Sequence, residues 1–235
     1  MFLPLVLAGY YILPGTRNKN IFLFLVSLFF YAWGEPAYIL LLPVSIIINY
    51  AFGLLIHRGS TGNKLWFIVS IAFNVGLIVF FKYLPFFISN INNILSLHIP
   101  VPKTALPLGI SFYTFKVITY HVDVYRGIVP PQKNFICHAL YISLFPQLTA
   151  GPIVKYSAIF KQLENRDHSL NMLARGITKF ILGLGKKVIL SNNLALIADS
   201  VFNFKSGTFG ALAAWIGLVS YSLQIYFDFS GYSDM

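Results

Sequence analysis

The chain has 235 residues, of which 57% are hydrophobic, 17% are aromatic and only 10% are charged. A soluble domain is typically about a quarter charged, so this composition excludes water as the main solvent of the fold. The net charge of +10 does not indicate nucleic-acid binding, because the basic residues fall mostly in loops between apolar runs. There we expect them to face anionic lipid headgroups.

The first apolar runs are Met1–Leu13, Ile21–Trp33, Tyr38–Ile56 and Leu65–Phe81. Basic loops follow the first and third runs, and Glu35 follows the second. If successive loops alternate sides, the positive-inside bias places the basic loops in the cytoplasm and the N-terminus outside. The pattern therefore predicts several membrane passes. Inside these runs, Asn49 and Asn74 predict a hydrogen bond between helices rather than a ligand contact.

The next part of the chain departs from simple spanning runs. Leu84–Leu97 has one polar face and predicts a helix lying along the membrane interface. Ala105–Val122 is long enough to span, but it contains a proline, a glycine and Lys116. A lysine at bilayer depth must face a cavity, form a pair or reach the headgroups, and we expect Lys116 to reach the headgroups.

Broken segments follow. Asp123 and Arg126 are three residues apart, which predicts an ion pair on one helical face, with a substrate contact as the alternative. Phe135–Tyr156 is apolar but is interrupted by Pro146, Gly151 and Pro152. Because these interruptions leave backbone groups without helical partners, the segment must be buried in protein or line a wet cavity. We predict a re-entrant element.

The last third begins with a polar stretch in which Asp167 and His168 are too solvated to indicate a catalytic pair. Leu170–Leu190 predicts an amphipathic helix whose basic residues, including Lys186 and Lys187, lie near the cytoplasmic leaflet. A short apolar segment, Leu194–Asp199, comes next. Phe209–Phe227 then has 19 uncharged, mostly apolar residues, enough to cross a bilayer, and runs directly into the polar cluster 228–235.

Signatures of soluble enzymes are absent from this sequence. It has no dinucleotide or phosphate loop and no nucleophile elbow, and its five histidines lack metal-ligand spacing. His121 and His138 are the two in or beside apolar segments. Either can act as a base if it faces a cavity, but a structural role is the favoured interpretation. Cys137, the single cysteine, excludes an intrachain disulfide and predicts a small buried residue.

An ordered set of motifs resembles a known family. The set consists of Phe30–Gly34, Leu106–Phe115, Asp123–Gly127, Phe145–Ile153, Gly185–Val188, Ala198–Asp199 and Tyr226–Met235. Each motif alone is weak, but in this order they are similar to the bacterial alginate O-acetylation branch of the membrane-bound O-acyltransferases. The resemblance covers nearly the whole chain.

The resemblance implies an all-α, polytopic membrane helical bundle with re-entrant, broken and interfacial helices, in the bacterial inner membrane. Residues 1–235 are then the N-terminal part of a single acyltransferase domain that continues beyond Met235. The essential histidine of the family lies in an apolar segment beyond the Tyr226–Met235 motif, and no position here matches it. We therefore assign no catalytic residue and no metal ligand, and we expect this part alone to be inactive.

The implied reaction moves an acetyl group from a cytoplasmic donor such as acetyl-CoA, without a tightly bound cofactor, to an extracytoplasmic, alginate-like polysaccharide or to an extracytoplasmic acyltransferase partner. Peptidoglycan O-acetylation and teichoic acid D-alanylation remain alternatives. From the residues alone, broken helices with intramembrane polar groups also suit a transporter or channel. A truncated product or assembly partner is a third possibility.

Acyl transfer to a hydroxyl needs a base or nucleophile, donors for the developing oxyanion and a cavity that limits hydrolysis. The broken segments Leu106–Phe115 and Phe145–Ile153 can supply cavity walls and free backbone N–H groups. Our candidates for lining that cavity are Gln147, Tyr226, Asp228 and Tyr232. Hydrogen bonding between helices is the alternative role for each of them.

Overall fold

The computed structural model describes residues 2–57, 63–102, 105–149, 151–166, 169–204 and 210–235. Every regular element in these ranges is a helix, which confirms the predicted all-α class. The chain forms two compact units, the first made of Met1–Thr149 and Ile153–Arg166 and the second of Ala150–Pro152 and Asp167–Met235. That both belong to one larger domain stays a prediction.

The helices of the first unit are α1 (Phe2–Ile12), α2 (Thr16–Gly34), α3 (Leu41–Ile56), α4 (Lys64–Ile78), α5 (Leu84–Leu95), α6 (Ile110–Tyr125), α7 (Phe135–Ser143), α8 (Phe145–Leu148) and α9 (Tyr156–Glu164). A short 3-10 turn, Pro36–Tyr38, joins α2 to α3. Helix α6 is central, because it packs against α3, α4, α7, α8 and α9. Its buried side chains therefore decide what the interior of this unit contains.

Tyrosines fill much of that interior. Five of them are at most 1% exposed: Tyr31, Tyr113, Tyr120, Tyr141 and Tyr156. Gln132 joins two of these phenols, because its backbone N–H donates to the hydroxyl of Tyr120 (3.0 Å) and its side-chain amide donates to that of Tyr156 (2.9 Å). The core is consequently aromatic and hydrogen-bonded rather than purely aliphatic.

Asn49 and Asn74 join α3 to α4. Each side-chain amide donates to the Oδ1 of the other, at 3.3 Å and 2.7 Å, and both residues are fully buried. The predicted hydrogen bond between helices is thus confirmed. Such reciprocal pairing satisfies polar groups that would otherwise be costly in an apolar environment.

Helices α4 and α5 form one continuous run, Lys64–Leu95, with a π-helical turn at Val79–Tyr83. The sequence suggests a span followed by a separate interfacial helix, but the structure has no break between them. Pro85, in the first turn of α5, has no N–H to donate to the carbonyl of Phe81, and its ring needs space beside the preceding turn. The wider π-helical turn supplies that space.

One end of the first unit collects basic side chains. The side-chain amide of Asn20 donates to the carbonyl of Leu163 (2.7 Å), which holds the start of α2 beside the end of α9. The Tyr50 hydroxyl donates to the carbonyl of Lys133 (2.6 Å) just before α7. Ring stacking also holds the end of α6 beside the start of α4. The basic residues at these helix ends are Arg17, Lys19, Lys64, Arg126, Lys133 and Arg166.

The second unit is an antiparallel hairpin. Helix α10 (Leu170–Gly185), a π-helical turn (Lys186–Ser191) and α11 (Asn192–Phe202) form one run, and α12 (Ala211–Asp234) packs along it. The sequence predicts separate segments at Leu170–Leu190 and Leu194–Asp199. They are joined because the polar residues between them stay helical, and the amide of Asn193 donates to the carbonyl of Ile189 (2.6 Å).

Two helical runs among the described residues are long and apolar enough to cross a membrane, Lys64–Leu95 and Leu170–Phe202. The apolar helices Phe2–Ile12 and Leu41–Ile56 are shorter. The predicted span Phe209–Phe227 begins outside the described residues and continues into α12. A multi-pass arrangement with re-entrant and interfacial segments therefore stays a prediction.

Candidate functional site

The two interrupted motifs of the first unit meet at Gly109. This residue lies at φ +70°, a conformation that favours glycine, and it directly precedes α6. A Cβ atom at this position would collide with the backbone carbonyl oxygen of Leu148, at the end of α8. The contact thus needs both the conformational freedom and the small size of glycine.

The predicted interruptions of Phe135–Tyr156 are present in the structure. Helix α7 ends at Ser143, and α8 is a single turn with Pro146 in its first positions, where a missing N–H costs little. Residues 151–155 are not helical. The backbone in this region therefore has polar groups outside any helical ladder, although the re-entrant path itself stays a prediction.

Lys116 and Gln147 meet beside these interruptions. The Lys116 ammonium donates to Oε1 of Gln147 at 3.1 Å and lies 4.9 Å from the ring centre of Tyr141. Lys116 is 1% exposed, so the expectation that it reaches the headgroups is wrong. Because α6 is surrounded by other helices, the Lys116 side chain lies inside the unit. In the described part of the chain, no carboxylate forms an ion pair with it.

A buried ammonium with a neutral partner is suited to receive negative charge. Burial lowers the effective dielectric constant around the group, so an oxyanion or carboxylate placed beside it would be stabilised more strongly than in water. Sequence reasoning identified Gln147 but assigned Lys116 to the membrane surface. The apolar sequence around Lys116 does not indicate that other helices pack around this residue.

His121 and His138 are both fully buried. Nε2 of His121 lies 3.1 Å from the carbonyl oxygen of Asn49. The ring of His138 packs beside those of Tyr50 (5.5 Å) and Tyr120 (5.1 Å), and its nitrogens have no hydrogen-bond partner among the described residues. This placement among aromatic rings matches the structural interpretation better than the catalytic one.

Asp123 and Arg126 do not form the predicted ion pair. Asp123 is 7% exposed, and its Oδ2 has no hydrogen-bond partner within the described ranges. Arg126 is exposed and follows the last residue of α6, and Gly127 then turns the chain at φ +68°. Arg126 keeps the helical hydrogen bond from its N–H to the carbonyl of Val122, but Asp123 is buried in the unit while the Arg126 side chain is exposed. Cys137, by contrast, is buried as predicted.

In the second unit, α12 presents acidic side chains to the π-helical turn. Lys186 pairs with Asp234 (2.5 Å) and also donates to the Ser230 hydroxyl (3.2 Å), while Lys187 pairs with Asp228. These ion pairs were not predicted, and the position of the two lysines near the cytoplasmic leaflet stays a prediction. Each lysine joins the π-helical turn to α12 through a partly exposed ion pair.

The structure places the four candidate lining residues in different settings. Gln147 is half-buried in the first unit and bound to Lys116. In the second unit, Asp228 is bound to Lys187, Tyr226 is 63% exposed and Tyr232 is half-buried. Their role in lining a reaction cavity stays a prediction. The Asp167 and His168 pair lies outside the described residues.

The metal-ligating side chains of the described residues do not cluster. No three His, Cys, Asp or Glu residues there lie close enough together to hold a metal ion. The polar groups described above are the Lys116 ammonium, the Gln147 amide, the tyrosine hydroxyls and the paired carboxylates of α12.

Known proteins share this sequence pattern. Residues 129–235 match the family model of the membrane-bound O-acyltransferases, MBOAT. The chain is 38% identical over 242 residues to the probable alginate O-acetylase AlgI of Pseudomonas aeruginosa, covering all of this chain and 46% of that protein. It is also 38% identical over 267 residues to the peptidoglycan O-acetyltransferase of Helicobacter pylori, covering all of this chain and 50% of that protein.

A more distant relative is the teichoic acid D-alanyltransferase of Bacillus subtilis, 28% identical over 157 residues, which cover 64% of this chain and 39% of that protein. The chain spans about half the length of the alginate and peptidoglycan acetyltransferases that it matches. These relatives are named as transferases, which does not favour the transporter or channel alternative. Residues 129–235 belong to the membrane-bound O-acyltransferase family, and the whole chain aligns with the acetyltransferases named above.

Proposed function

We propose that the protein containing this chain transfers an acetyl group from a cytoplasmic donor, such as acetyl-CoA, to hydroxyl groups of an alginate-like extracytoplasmic polysaccharide. The observation that carries this proposal is the similarity to alginate O-acetylases along the entire chain. The acceptor is either the polysaccharide itself or an extracytoplasmic acyltransferase partner. Nucleic acid has no role in this proposal.

The charge distribution supports an orientation. The basic end of the first unit, defined above, would face the cytoplasm under the positive-inside bias. Glu35 lies at the far end of α2, where its Oε2 accepts a hydrogen bond from the N–H of Leu108 (3.1 Å), and would face the outside. The N-terminus of α1 would then be extracytoplasmic, in the bacterial inner membrane.

Within the first unit, the Lys116 ammonium and the Gln147 amide are proposed to line the acyl-transfer cavity. The ammonium would stabilise negative charge that develops on the acyl carbonyl, or a carboxylate of an acidic sugar. The base that removes the hydroxyl proton is not assigned to any residue described here. We expect it to be a histidine in a segment that follows Met235.

In the second unit, Tyr226, Asp228 and Tyr232 stay candidates for cavity lining, on the strength of the Tyr226–Met235 motif. A carboxylate is an acceptor for hydroxyl groups of a sugar, and tyrosine can both donate and accept. The Lys187 ammonium pairs with the Asp228 carboxylate and would hold it in one orientation.

Peptidoglycan O-acetylation is the second candidate function, because the peptidoglycan O-acetyltransferase of Helicobacter pylori also aligns along the whole chain. D-alanylation of teichoic acid has weaker support, because its relatives align with about half to two-thirds of this chain. The three acceptor chemistries leave different products, namely acetyl esters on alginate, acetyl esters on glycan strands and D-alanyl esters.

The test is to express the complete gene in a strain that lacks its own acetyltransferase, supply labelled acetate, and measure alkali-labile acetyl on each purified polymer. Wild-type protein should label the polysaccharide, and Lys116→Met should reduce labelling at least tenfold while membrane levels stay equal. Lys82→Met, at an exposed lysine in the π-helical turn, is the matched control. The absence of ester on every polymer would refute the proposed reaction.

A further inference from the structure

A cavity of about 370 Å³ opens at the basic end of the first unit. It is lined by Arg17, Asn20, Ile21, Asn134 and Ile136, so it lies between the first turns of α2 and α7. Neither Lys116 nor Gln147 lines it. The cavity therefore needs an explanation other than acyl transfer.

The floor of the cavity is polar and has a fixed shape. Asn20 is 3% exposed, and its amide donates to the Leu163 carbonyl (2.7 Å) and to the sulfur of Cys137 (3.5 Å). Its Oδ1 accepts a 2.6 Å hydrogen bond from the Arg166 guanidinium. Contacts with α7, with the end of α9 and with the Arg166 guanidinium thus hold the Asn20 side chain in place.

Two arginines at or near the cavity, Arg17 and Arg166, form no ion pair with a described carboxylate. Arg17 is the charged lining residue, and its guanidinium has no hydrogen bond or ion pair with any described residue. Arg166 donates to uncharged oxygens of the described residues, on Asn20, Tyr10 and Gln162. The nearby carboxylate of Glu164 accepts from Gln132 instead. An anion entering the cavity would meet the Arg17 guanidinium, which has no carboxylate partner among the described residues.

We propose that this cavity binds a phosphate group, supplied by the headgroup of an anionic lipid in the leaflet onto which the basic end opens. A guanidinium matches phosphate oxygens in a bidentate geometry. Basic pockets between helices on the cytoplasmic side are a recognised form of lipid headgroup site. A volume of about 370 Å³ also falls in the range of small-ligand sites.

The apolar lining favours a lipid over a soluble phosphate. Ile21 and Ile136 would contact the glycerol and the first carbons of an acyl chain, which inorganic phosphate lacks. The proposal uses the membrane placement given above and not the acetyl-transfer reaction. The site can therefore fail while the reaction stands, and the reverse also holds.

The test measures binding of phosphatidylglycerol and, separately, phosphatidylcholine to purified protein in detergent by native mass spectrometry. Arg17→Gln should weaken phosphatidylglycerol binding about tenfold, as expected for one charge-assisted contact, and should leave phosphatidylcholine binding unchanged. Arg17→Lys keeps the charge but loses the bidentate geometry, so it should weaken phosphatidylglycerol binding less than Arg17→Gln does. Arg175→Gln removes an equivalent exposed charge from α10 and should have no effect.

Soluble probes identify the source of the phosphate. Inorganic phosphate and coenzyme A are titrated into wild-type protein and Arg17→Gln. If Arg17→Gln weakens coenzyme A binding but not phosphatidylglycerol binding, the phosphate site stands and the lipid source is wrong. If Arg17→Gln binds every probe as the wild type does, or if Arg175→Gln loses as much lipid, the site is refuted.

Discussion

The Lys116 ammonium group donates a 3.1 Å hydrogen bond to Oε1 of Gln147, although Lys116 is 1% exposed. The partner is neutral, so the pair leaves a net positive charge inside the first unit whenever Lys116 is protonated. Burying such a charge costs several kcal/mol in real proteins. A protein that keeps it there gains little stability from it, which favours a functional explanation.

The two partners should therefore respond differently to substitution. Lys116→Met removes the buried charge and should leave the melting temperature unchanged or higher. Gln147→Leu removes the acceptor and leaves the Lys116 ammonium without this hydrogen bond, which should lower the free energy of unfolding by about 1–3 kcal/mol. Thermal unfolding of both variants in the same detergent tests this. Equal destabilisation by both would mean that Lys116 has another partner that matters more.

Sequence patterns predicted the helical class, the broken segments and the Asn49–Asn74 hydrogen bond, because each follows from local rules about hydrophobicity, proline and amide pairing. The placement of Lys116 could not be predicted in the same way. Whether a charged residue in an apolar helix reaches the surface depends on which other helices surround it, and a single sequence does not show that.

The ion pairs of the second unit could not be predicted from the sequence either. Lys186 and Lys187 have the spacing of an interfacial basic patch, and their acidic partners Asp234 and Asp228 are more than 40 residues away. Only the hairpin brings these groups together. Conversely, Asp123 and Arg126 have the spacing of a helical ion pair, but Asp123 is buried and Arg126 is exposed, a difference that depends on the neighbouring helices.

Gly109→Ala should destabilise the protein more than Gly127→Ala does. Both glycines have positive φ, at 70° and 68°, so both substitutions carry a backbone cost of about 1–2 kcal/mol. A Cβ atom at Gly109 would also collide with the Leu148 carbonyl oxygen, whereas a Cβ atom at Gly127 would have no neighbouring atom within 4 Å. Overpacking should add about 1–3 kcal/mol at Gly109. Equal melting temperatures would show that α8 moves aside freely.

Asn49 and Asn74 should be strongly coupled in a double-mutant cycle. Either single change to leucine leaves the other amide buried without its partner and should cost about 1–3 kcal/mol. The double leucine variant removes both polar groups and should cost clearly less than the sum of the singles. Thermal melting of the four proteins provides the cycle, and additive effects would argue against the pairing.

Gly183 marks the closest approach of α10 to α12. A Cβ atom there would lie 2.6 Å from the carbonyl oxygen of Gly231, so Gly183→Ala should force the helices apart at a cost of about 1–3 kcal/mol. A Cβ atom at Gly176, in the same helix, would have no neighbouring atom within 4 Å. Gly176→Ala should stabilise the helix by about 0.5–1 kcal/mol. Opposite shifts in melting temperature are expected, and shifts of the same sign would contradict this packing.

Lys187 and Asp228 distinguish a structural ion pair from a functional carboxylate. Their side chains are 40% and 50% exposed, so the pair should contribute at most about 1 kcal/mol. Asp228→Lys alone should lower stability, and the exchanged variant Lys187→Asp with Asp228→Lys should regain it. If Asp228 lines the acetyl-transfer cavity as proposed, the exchanged variant should still lack activity in the labelled-acetate assay. If both stability and transfer recover, transfer does not need a carboxylate at position 228. Asp228 would then act only in helix pairing.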